Sequence, residues 1–180
     1  MKKTILSIAL VLATGLLFAQ KKTTTAAMIK FDATTSLDKL PKADNMTVIA
    51  SLDTKTGKIA FEANIKNFSF GNPRMQEHFN SPGWMDSEQF PTAGFKGDIT
   101  NLSKVDFSKD GTYPVTVKGE LTMHGVTKPV ETTGTIVISG TTINATADFT
   151  VKLGDYGISS SYIEAGKVAR EPKISVAAEF

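Results

Sequence analysis

The stretch YPVTVKGELTMHGVTKPV, residues 113–130, decides the fold, because apolar and polar residues alternate along it with a period of two. From Val115 to Met123, every second residue is apolar or glycine, and the residues between them are Thr, Lys or Glu. In a strand, alternate side chains lie on opposite faces, so this pattern gives one apolar face and one polar face. His124-Gly125 interrupts the alternation and predicts a turn. The stretch therefore predicts a long antiparallel hairpin with one face turned to a core.

The same alternation recurs along most of the chain. It is clearest in GKIAFEANI (57–65), INATADFTVKL (143–153) and KISVAAEF (173–180). The runs that we interpret as strands lie around 26–34, 45–53, 57–67, 93–101, 112–123, 126–139, 141–153 and 170–180. No strand–helix–strand pattern, phosphate-binding loop or internal repeat interrupts them. These eight runs predict an all-β, antiparallel domain that is either a sandwich or a closed barrel.

Small residues on the apolar faces leave two interpretations of the interior open. The small residues on these faces are Ala63, Gly119, Gly134, Ala145, Ala147 and Ala178. They could interdigitate with Phe and Leu from the facing side, which fills the core. Alternatively, a closed barrel of about eight strands can keep room for one small ligand.

The segment RMQEHFNSPGWMDSEQFP, residues 74–91, breaks the alternation. NPRMQEHFN, residues 72–80, overlaps the start of this segment and has helical composition, with Asn72 as N-cap and Pro73 in the first turn. WMDSEQFP offers a second short helical turn, with Asp86 and Glu88 as cap residues. This insert is suited to capping a barrel mouth, with an apolar set pointing inward. That set is Phe79, Trp84, Met85 and Phe90.

The sequence offers little support for catalysis or metal binding. The two histidines, His78 and His124, belong to no HExxH motif, and a zinc site needs three or four ligands. There is no Cys and no GxSxG nucleophile motif. We therefore predict no metal and no cofactor, and interpret His78 as a polar residue at the junction of helix and barrel. An enzyme that acts through His78 and Asp86 remains the alternative.

The N-terminus has the pattern of a secretory signal peptide. Lys2-Lys3 precede an apolar run from Ile5 to Ala19, which is short for a membrane span of ~20 residues. We predict cleavage after Ala19, export to the periplasm without stable membrane insertion, and one mature domain, residues 20–180. That domain has 18 basic and 18 acidic residues, so it lacks the basic surface typical of nucleic-acid binding.

Three motifs, in this order, resemble those of the YceI-like family. The first is RMQEHFNSPGWMDSEQFPTAGFKG (74–97), the second is the hairpin 113–130, and the third is FTVKLGDYGI (149–158). The family's central pattern falls on Arg74, His78, Ser81-Pro82, Trp84-Met85-Asp86, Phe90-Pro91 and Phe95. Trp84-Met85 replaces the more usual pair of Phe, and MIKFDATTSL (28–37) lacks the common Trp and His-Ser pair.

The resemblance implies a lipocalin-like antiparallel β-barrel that is exported and holds a long isoprenoid or acyl chain. The ligand could be an isoprenoid quinone or a polyprenyl lipid, and the protein a carrier or a scavenger, either a monomer or a homodimer. The ligand contacts that we predict are Phe61, Ala63, Ile65, Phe68, Phe70, Arg74, His78, Phe79, Trp84, Met85, Phe90, Phe95, Val117, Leu121, Ala147 and Phe149. Arg74, His78 and Asp86 are the candidates for contacting a polar head group.

Overall fold

The computed structural model describes residues 21–180, so the predicted signal peptide lies outside the described residues. Its strands are β1 (Lys21–Asp32), β2 (Lys42–Asp53), β3 (Lys58–Asn64), β4 (Ser69–Phe70), β5 (Thr92–Ile99), β6 (Gly111–Met123), β7 (Val126–Ser139), β8 (Thr142–Thr150) and β9 (Lys173–Glu179). Its helices are α1 (Pro73–Asn80) and α2 (Ser161–Glu164), with 3-10 turns at Ile65–Asn67, Leu102–Lys104 and Leu153–Tyr156.

Eight of the strands form a closed antiparallel barrel. Their order is β1-β9-β8-β7-β6-β5-β3-β2, and β1 pairs with β2 to complete the ring. The two-residue strand β4 pairs with the N-terminal end of β2, where Ala43 lies opposite Phe70. The predicted fold class, an antiparallel barrel of about eight strands, is confirmed, and the sandwich alternative is excluded.

The hairpin that opens the sequence argument is the longest pairing in the barrel. β6 and β7 pair without interruption from Gly111 opposite Ile138 to Met123 opposite Val126. The turn residues His124 and Gly125 have φ angles of 51° and 73°. Two central residues with positive φ are the geometry of a type I′ turn, which matches the twist of the flanking strands.

The predicted helical insert is confirmed at α1. The side chain of Asn72 accepts a hydrogen bond from the Arg74 amide at 2.9 Å, and Pro73 is the first helical residue. The helix ends at Asn80, and the amide of the next residue, Ser81, donates to the His78 carbonyl at 3.2 Å. The sequence therefore placed both ends of this helix correctly.

The second predicted helical turn was only partly correct. The Asp86 carbonyl accepts hydrogen bonds from the amides of Gln89 and Phe90, at 3.0 and 2.7 Å. Asp86 itself has a φ of 43°, a left-handed conformation that cannot continue into a right-handed helix. Glu88 does not cap a helix but lies 2.6 Å from the ammonium group of Lys66.

Strand β3 is shorter than the alternation predicted, and this changes the position of Ile65. The Asn64 side chain accepts a hydrogen bond from the Lys66 amide at 3.0 Å, which closes a 3-10 turn over Ile65–Asn67. The run predicted to extend to residue 67 therefore ends at Asn64. Side chains beyond that point no longer follow the inward–outward alternation of the strand.

A second segment, between β8 and β9, covers the same end of the barrel as α1. Its buried apolar residues belong to one core cluster with Phe79 and Met85 of the insert. They are Val151, Leu153, Tyr156, Ile158 and Ile163. The segment is fastened by the Ala169 amide, which donates to the Ala33 carbonyl at 2.9 Å, and by the Tyr156 carbonyl, 2.9 Å from Nδ1 of His124.

A second apolar cluster lies within the strands around Ile59, Ile99 and Ile136. In this cluster, one aromatic ring fills the space above two glycines that lie opposite each other on β5 and β6. Gly97 lies opposite Gly119, and the ring of Phe95 lies over both. A Cβ atom on Gly119 would be 2.6 Å from Cζ of Phe95 and would also meet the carbonyl of Lys96. The small residue is thus required by packing at this position.

We expect Gly119→Ala to lower the free energy of unfolding by about 1–3 kcal/mol, because the added methyl group overpacks the ring of Phe95. Gly71→Ala is the matched control, since no atom lies within 4 Å of a Cβ built there. Its effect should stay within about 0.5 kcal/mol, as for other open surface positions. Denaturant unfolding of the two variants measures both values, and equal losses would contradict the packing argument.

Candidate functional site

The barrel encloses an apolar interior cavity of about 130 Å³. Half of the predicted ligand contacts line this cavity. They are Phe61, Ala63, Phe68, Phe95, Val117, Leu121, Ala147 and Phe149. Of the lining side chains, only three threonines are polar, and none is titratable. The cavity can therefore exclude water and hold an apolar group, but it offers no acid or base.

Both interpretations of the small inward residues hold, each at different positions. Gly119 lies under the ring of Phe95, so there a small residue makes room for a large one. Ala63, Gly134, Ala145 and Ala147 instead line the interior cavity. The core is thus filled beside the β5–β6 pair, whereas space remains beside the β7–β8 pair.

Several lining residues were missed, although the alternation contained the signal for most of them. Val115 and Met123 share the inward face of β6 with Val117 and Leu121, and all four line the cavity. Ile174 and Val176 are placed in the same way by the alternation of β9. In a closed barrel, every inward-facing residue of a strand can line the interior. The predicted set included only some of the inward-facing residues of each strand.

The interior cavity and a groove on the outer surface share lining residues along β7 and β8. Backbone pairing of these strands runs from Ser139 opposite Thr142 to Gly134 opposite Ala147 and stops there. Beyond that point the hydroxyl of Thr132 donates to the Asp148 carbonyl at 3.1 Å. Five residues border both the interior cavity and a groove on the outer surface, namely Gly134, Thr135, Thr146, Ala147 and Val176. Most of the side chains between the two spaces are therefore small at this seam.

A second pocket of about 280 Å³ lies at the end covered by α1, and we call it the mouth pocket. Five predicted contacts line it, namely Phe70, Arg74, His78, Phe79 and Trp84. Asp38 and Tyr162 contribute further polar groups, and the ring of His78 lies 5.9 Å from that of Tyr162. Arg74 and His78 lie four residues apart and are both exposed on one face of α1. The mouth pocket therefore combines an aromatic floor with polar groups that face solvent.

An aromatic layer separates the mouth pocket from the interior cavity. The ring of Phe79 lies 5.7 Å from Phe31, 5.6 Å from Phe68 and 4.9 Å from Phe70. Phe68 lines the interior cavity, whereas Phe31, Phe70 and Phe79 line the mouth pocket. The predicted single site is therefore divided into two compartments, with Phe79 at the centre of the partition.

Three predicted contacts lie in neither compartment. Ile65 and Met85 are buried in the core, Ile65 because its strand ends one residue earlier. The ring of Phe90 lies 5.0 Å from that of His124. It also occupies the space that a side chain at Gly125 would fill. Phe90 was expected to point inward, but the turn at Asp86 directs it to the β6–β7 hairpin instead.

The polar candidates do not form a catalytic group. Arg74 and His78 line the mouth pocket, whereas Asp86 is not among its lining residues. Within residues 21–180, no three His, Asp or Glu side chains lie close enough together to hold a metal ion. Burial raises the pKa of Tyr156, and nearby Asp155 adds to this shift, so its hydroxyl stays protonated at neutral pH. Tyr156 is thus a structural residue of the covering segment.

Comparison with known proteins identifies the family and the fold. A family model described as a YceI-like domain matches residues 16–180. No functionally curated protein matches the chain at a significant level. Across the described part of the chain, no helix is both long and apolar enough to cross a membrane.

Three solved structures resemble this barrel. A polyisoprenoid-binding domain from Saccharophagus degradans, implicated in plant cell wall breakdown, has a TM-score of 0.74 at 11% identity, covering 89% of this chain and 97% of that one. BcnA from Burkholderia cenocepacia has a TM-score of 0.69 at 16% identity, covering 87% and 99%. The YceI protein of Campylobacter jejuni has a TM-score of 0.53 at 18% identity, covering 74% and 80%. At these identities the likeness shows a shared fold.

We expect Phe79→Ala to lower the free energy of unfolding by about 3–5 kcal/mol, because it removes the buried ring that contacts three others. Met75→Ala, on the same helix and half-buried, should cost about 1 kcal/mol. Denaturant unfolding with both variants separates loss of the aromatic layer from general damage to α1. Similar losses in the two variants would show that Phe79 has no special role.

Proposed function

The chain belongs to the YceI-like family, and from this premise we propose that it is an exported protein that holds a long isoprenoid or acyl chain inside its barrel. The observation that carries the proposal is the interior cavity, whose walls are apolar apart from three threonines. Each CH₂ group moved from water into such a cavity contributes about 0.8 kcal/mol, with no requirement for a directional partner. An apolar chain therefore fits this interior better than a polar substrate does.

The mouth pocket is suited to the polar end of the same ligand. Arg74 carries a permanent positive charge and a planar set of donors that match a carboxylate or phosphate group. His78 and Tyr162 add hydrogen-bonding groups next to it. In this arrangement the chain lies in the interior cavity and the head group stays near solvent. One solved relative in fold is described as a polyisoprenoid-binding domain, which agrees with a ligand of this kind.

The size of the cavity sets a condition on binding. A volume of about 130 Å³ is close to that of an engineered cavity of ~150 Å³ that accepts a single benzene molecule. A chain of several isoprene units needs more space, so side chains of the aromatic layer must rotate to join the two compartments. Phe68 lines the interior cavity and Phe79 lines the mouth pocket, and their rings lie 5.6 Å apart.

We place the protein in the periplasm, as a carrier or scavenger rather than an enzyme. The alternative, a lipid-modifying enzyme, needs His78 and Asp86 to act on one substrate atom. Asp86 does not line the pocket that contains His78, so the geometry favours binding over catalysis. Turnover of a lipid substrate that is lost in His78→Ala, with binding unchanged, would reverse this preference.

We expect Ala147→Trp to abolish lipid binding while the lipid-free protein still folds. The indole would occupy much of the cavity of about 130 Å³ that Ala147 borders. Thr150→Trp is the matched control, because Thr150 is exposed on the same strand and should leave the lipid in place. Native mass spectrometry of the purified proteins measures the copurifying lipid, and the denaturant midpoint of lipid-free protein measures the fold.

Two results would contradict the binding proposal. If Ala147→Trp kept its lipid but lost more than about 1–3 kcal/mol of stability, the space near Ala147 would be ordinary packed core. If the unmodified protein never carried lipid, the cavity would have no ligand of this class.

We expect the mature protein to begin at or near Gln20 and to be released from cells by osmotic shock. The reason is the basic start and apolar run of residues 2–19, which fit a cleaved signal peptide. The intact mass of the released protein tests the cleavage position. Native protein that keeps Met1 and stays in the cytoplasm would contradict export.

A further inference from the structure

The rim of the mouth pocket exposes large apolar side chains to solvent. Leu37 and Leu40, in the loop between β1 and β2, are 72% and 59% exposed, and Tyr162 of α2 is 46% exposed. We call these three residues the apolar rim. Single exposed leucines are common on protein surfaces, but a group of them around one opening indicates an interaction site.

The three residues are held together at the opening. Asp38 and Pro41 of the same loop line the mouth pocket, as does Tyr162. A Cβ atom on Gly166, just after α2, would lie 3.6 Å from Cδ1 of Leu37. Leu37 of the loop therefore lies close to Gly166 of the covering segment, and the apolar rim lies beside the mouth pocket.

The backbone of the loop is well ordered by hydrogen bonds, so these exposed leucines do not reflect a loose chain. The Ala33 amide donates to the Pro41 carbonyl, and the Thr35 amide to the Asp38 carbonyl, both at 2.8 Å. The Thr35 hydroxyl accepts from the Leu37 amide at 3.1 Å. The loop thus presents its leucines outward from a fixed frame.

The charges of the rim favour a negatively charged surface. The Asp38 carboxylate accepts the Leu40 amide at 2.8 Å, and Glu164 pairs with Arg170 at 2.9 Å. Lys39, between the two leucines, is exposed and forms no ion pair with any residue in 21–180. Arg74, which lines the same pocket and is exposed, also forms no ion pair within these residues, so Lys39 and Arg74 outnumber Asp38, whose charge the hydrogen bond leaves in place.

We propose that the apolar rim docks on the surface of a lipid bilayer that contains anionic lipid. Leucines that enter the boundary between head groups and acyl chains, an aromatic ring at that level and a lysine beside it form the composition typical of peripheral membrane contacts. This proposal rests on the proposed function, because the rim surrounds the opening through which a lipid would pass. Docking there would let the chain move between bilayer and cavity without crossing water.

Flotation with vesicles tests the docking. The vesicles contain phosphatidylcholine and phosphatidylglycerol in a ratio of about 3:1, and the protein is the mature form from Gln20, which includes the whole barrel. The rim variant is Leu37→Ser/Leu40→Ser. The matched control is Met46→Ser/Ile49→Ser, since these residues are 65% and 51% exposed but lie on strand β2, outside the loop that contributes Asp38 and Pro41 to the mouth pocket.

We expect the unmodified protein and the control to float with the vesicles, and the rim variant to bind at least about tenfold more weakly. Lys39→Glu should weaken binding to these vesicles and leave binding to pure phosphatidylcholine unchanged, because its effect is electrostatic. All variants should keep the melting temperature and the copurified lipid of the unmodified protein, because the changed side chains lie on the surface.

Three outcomes would overturn the proposal. The first is an unmodified protein that does not float, and the second is equal binding by the rim variant and the control. The third is a dimer, detected by light scattering, that the rim variant loses, since the rim would then be an interface between copies. If native mass spectrometry finds lipid in the protein but flotation fails, the docking proposal falls and the binding function stands. If no lipid is found, the binding function itself fails.

Discussion

Closure of the barrel by β1 is the constraint on which the other features depend. β1 pairs with β2 from Lys21 opposite Asp53 to Asp32 opposite Lys42, and its second half pairs with β9 as well. The pairing with β2 shifts register between Thr24 and Ile29, and such irregularities let a strand bend around a barrel. Once the ring is closed, every apolar face points to one interior whose width follows from strand number and tilt. Small side chains then leave space rather than draw the walls together.

Aromatic residues that stabilise this fold also separate the two compartments of its interior. The aromatic layer around Phe79 is part of the main core cluster and also the partition between the two compartments. Opening it to a long chain breaks ring contacts that help to hold α1 on the barrel. A ligand must therefore supply more free energy from its own burial than these contacts contribute. Such coupling favours long apolar ligands, since burial free energy grows with each CH₂.

Local patterns in the sequence were sufficient for the barrel but not for the division of its site. Alternation of residue types gave the inward faces of β6 and β8, and Asn72-Pro73 gave the start of α1, because each signal lies within a few residues. The position of Phe90 beside His124 depends on a contact between segments 34 residues apart in sequence. Tyr162 and Val168 enter the mouth pocket from a segment with no regular pattern. No short-range signal states which end of a barrel such a segment will cover, so these parts of the site required the structure.

An apolar interior that binds a lipid chain tightly also releases it slowly into water. The surface near the opening therefore bears on how a chain could leave the barrel. By the figure of ~0.8 kcal/mol per CH₂, ten buried carbons hold a chain by about 8 kcal/mol, which slows its escape into water by roughly six orders of magnitude. Because the cavity lining has no titratable group, a change in pH cannot weaken this hold directly. For the proposed lipid, release would instead need an acceptor that keeps the chain out of water while the aromatic layer is open. The exposed leucines lie beside the mouth pocket, so the proposed docking surface and the aromatic layer are at the same end of the barrel.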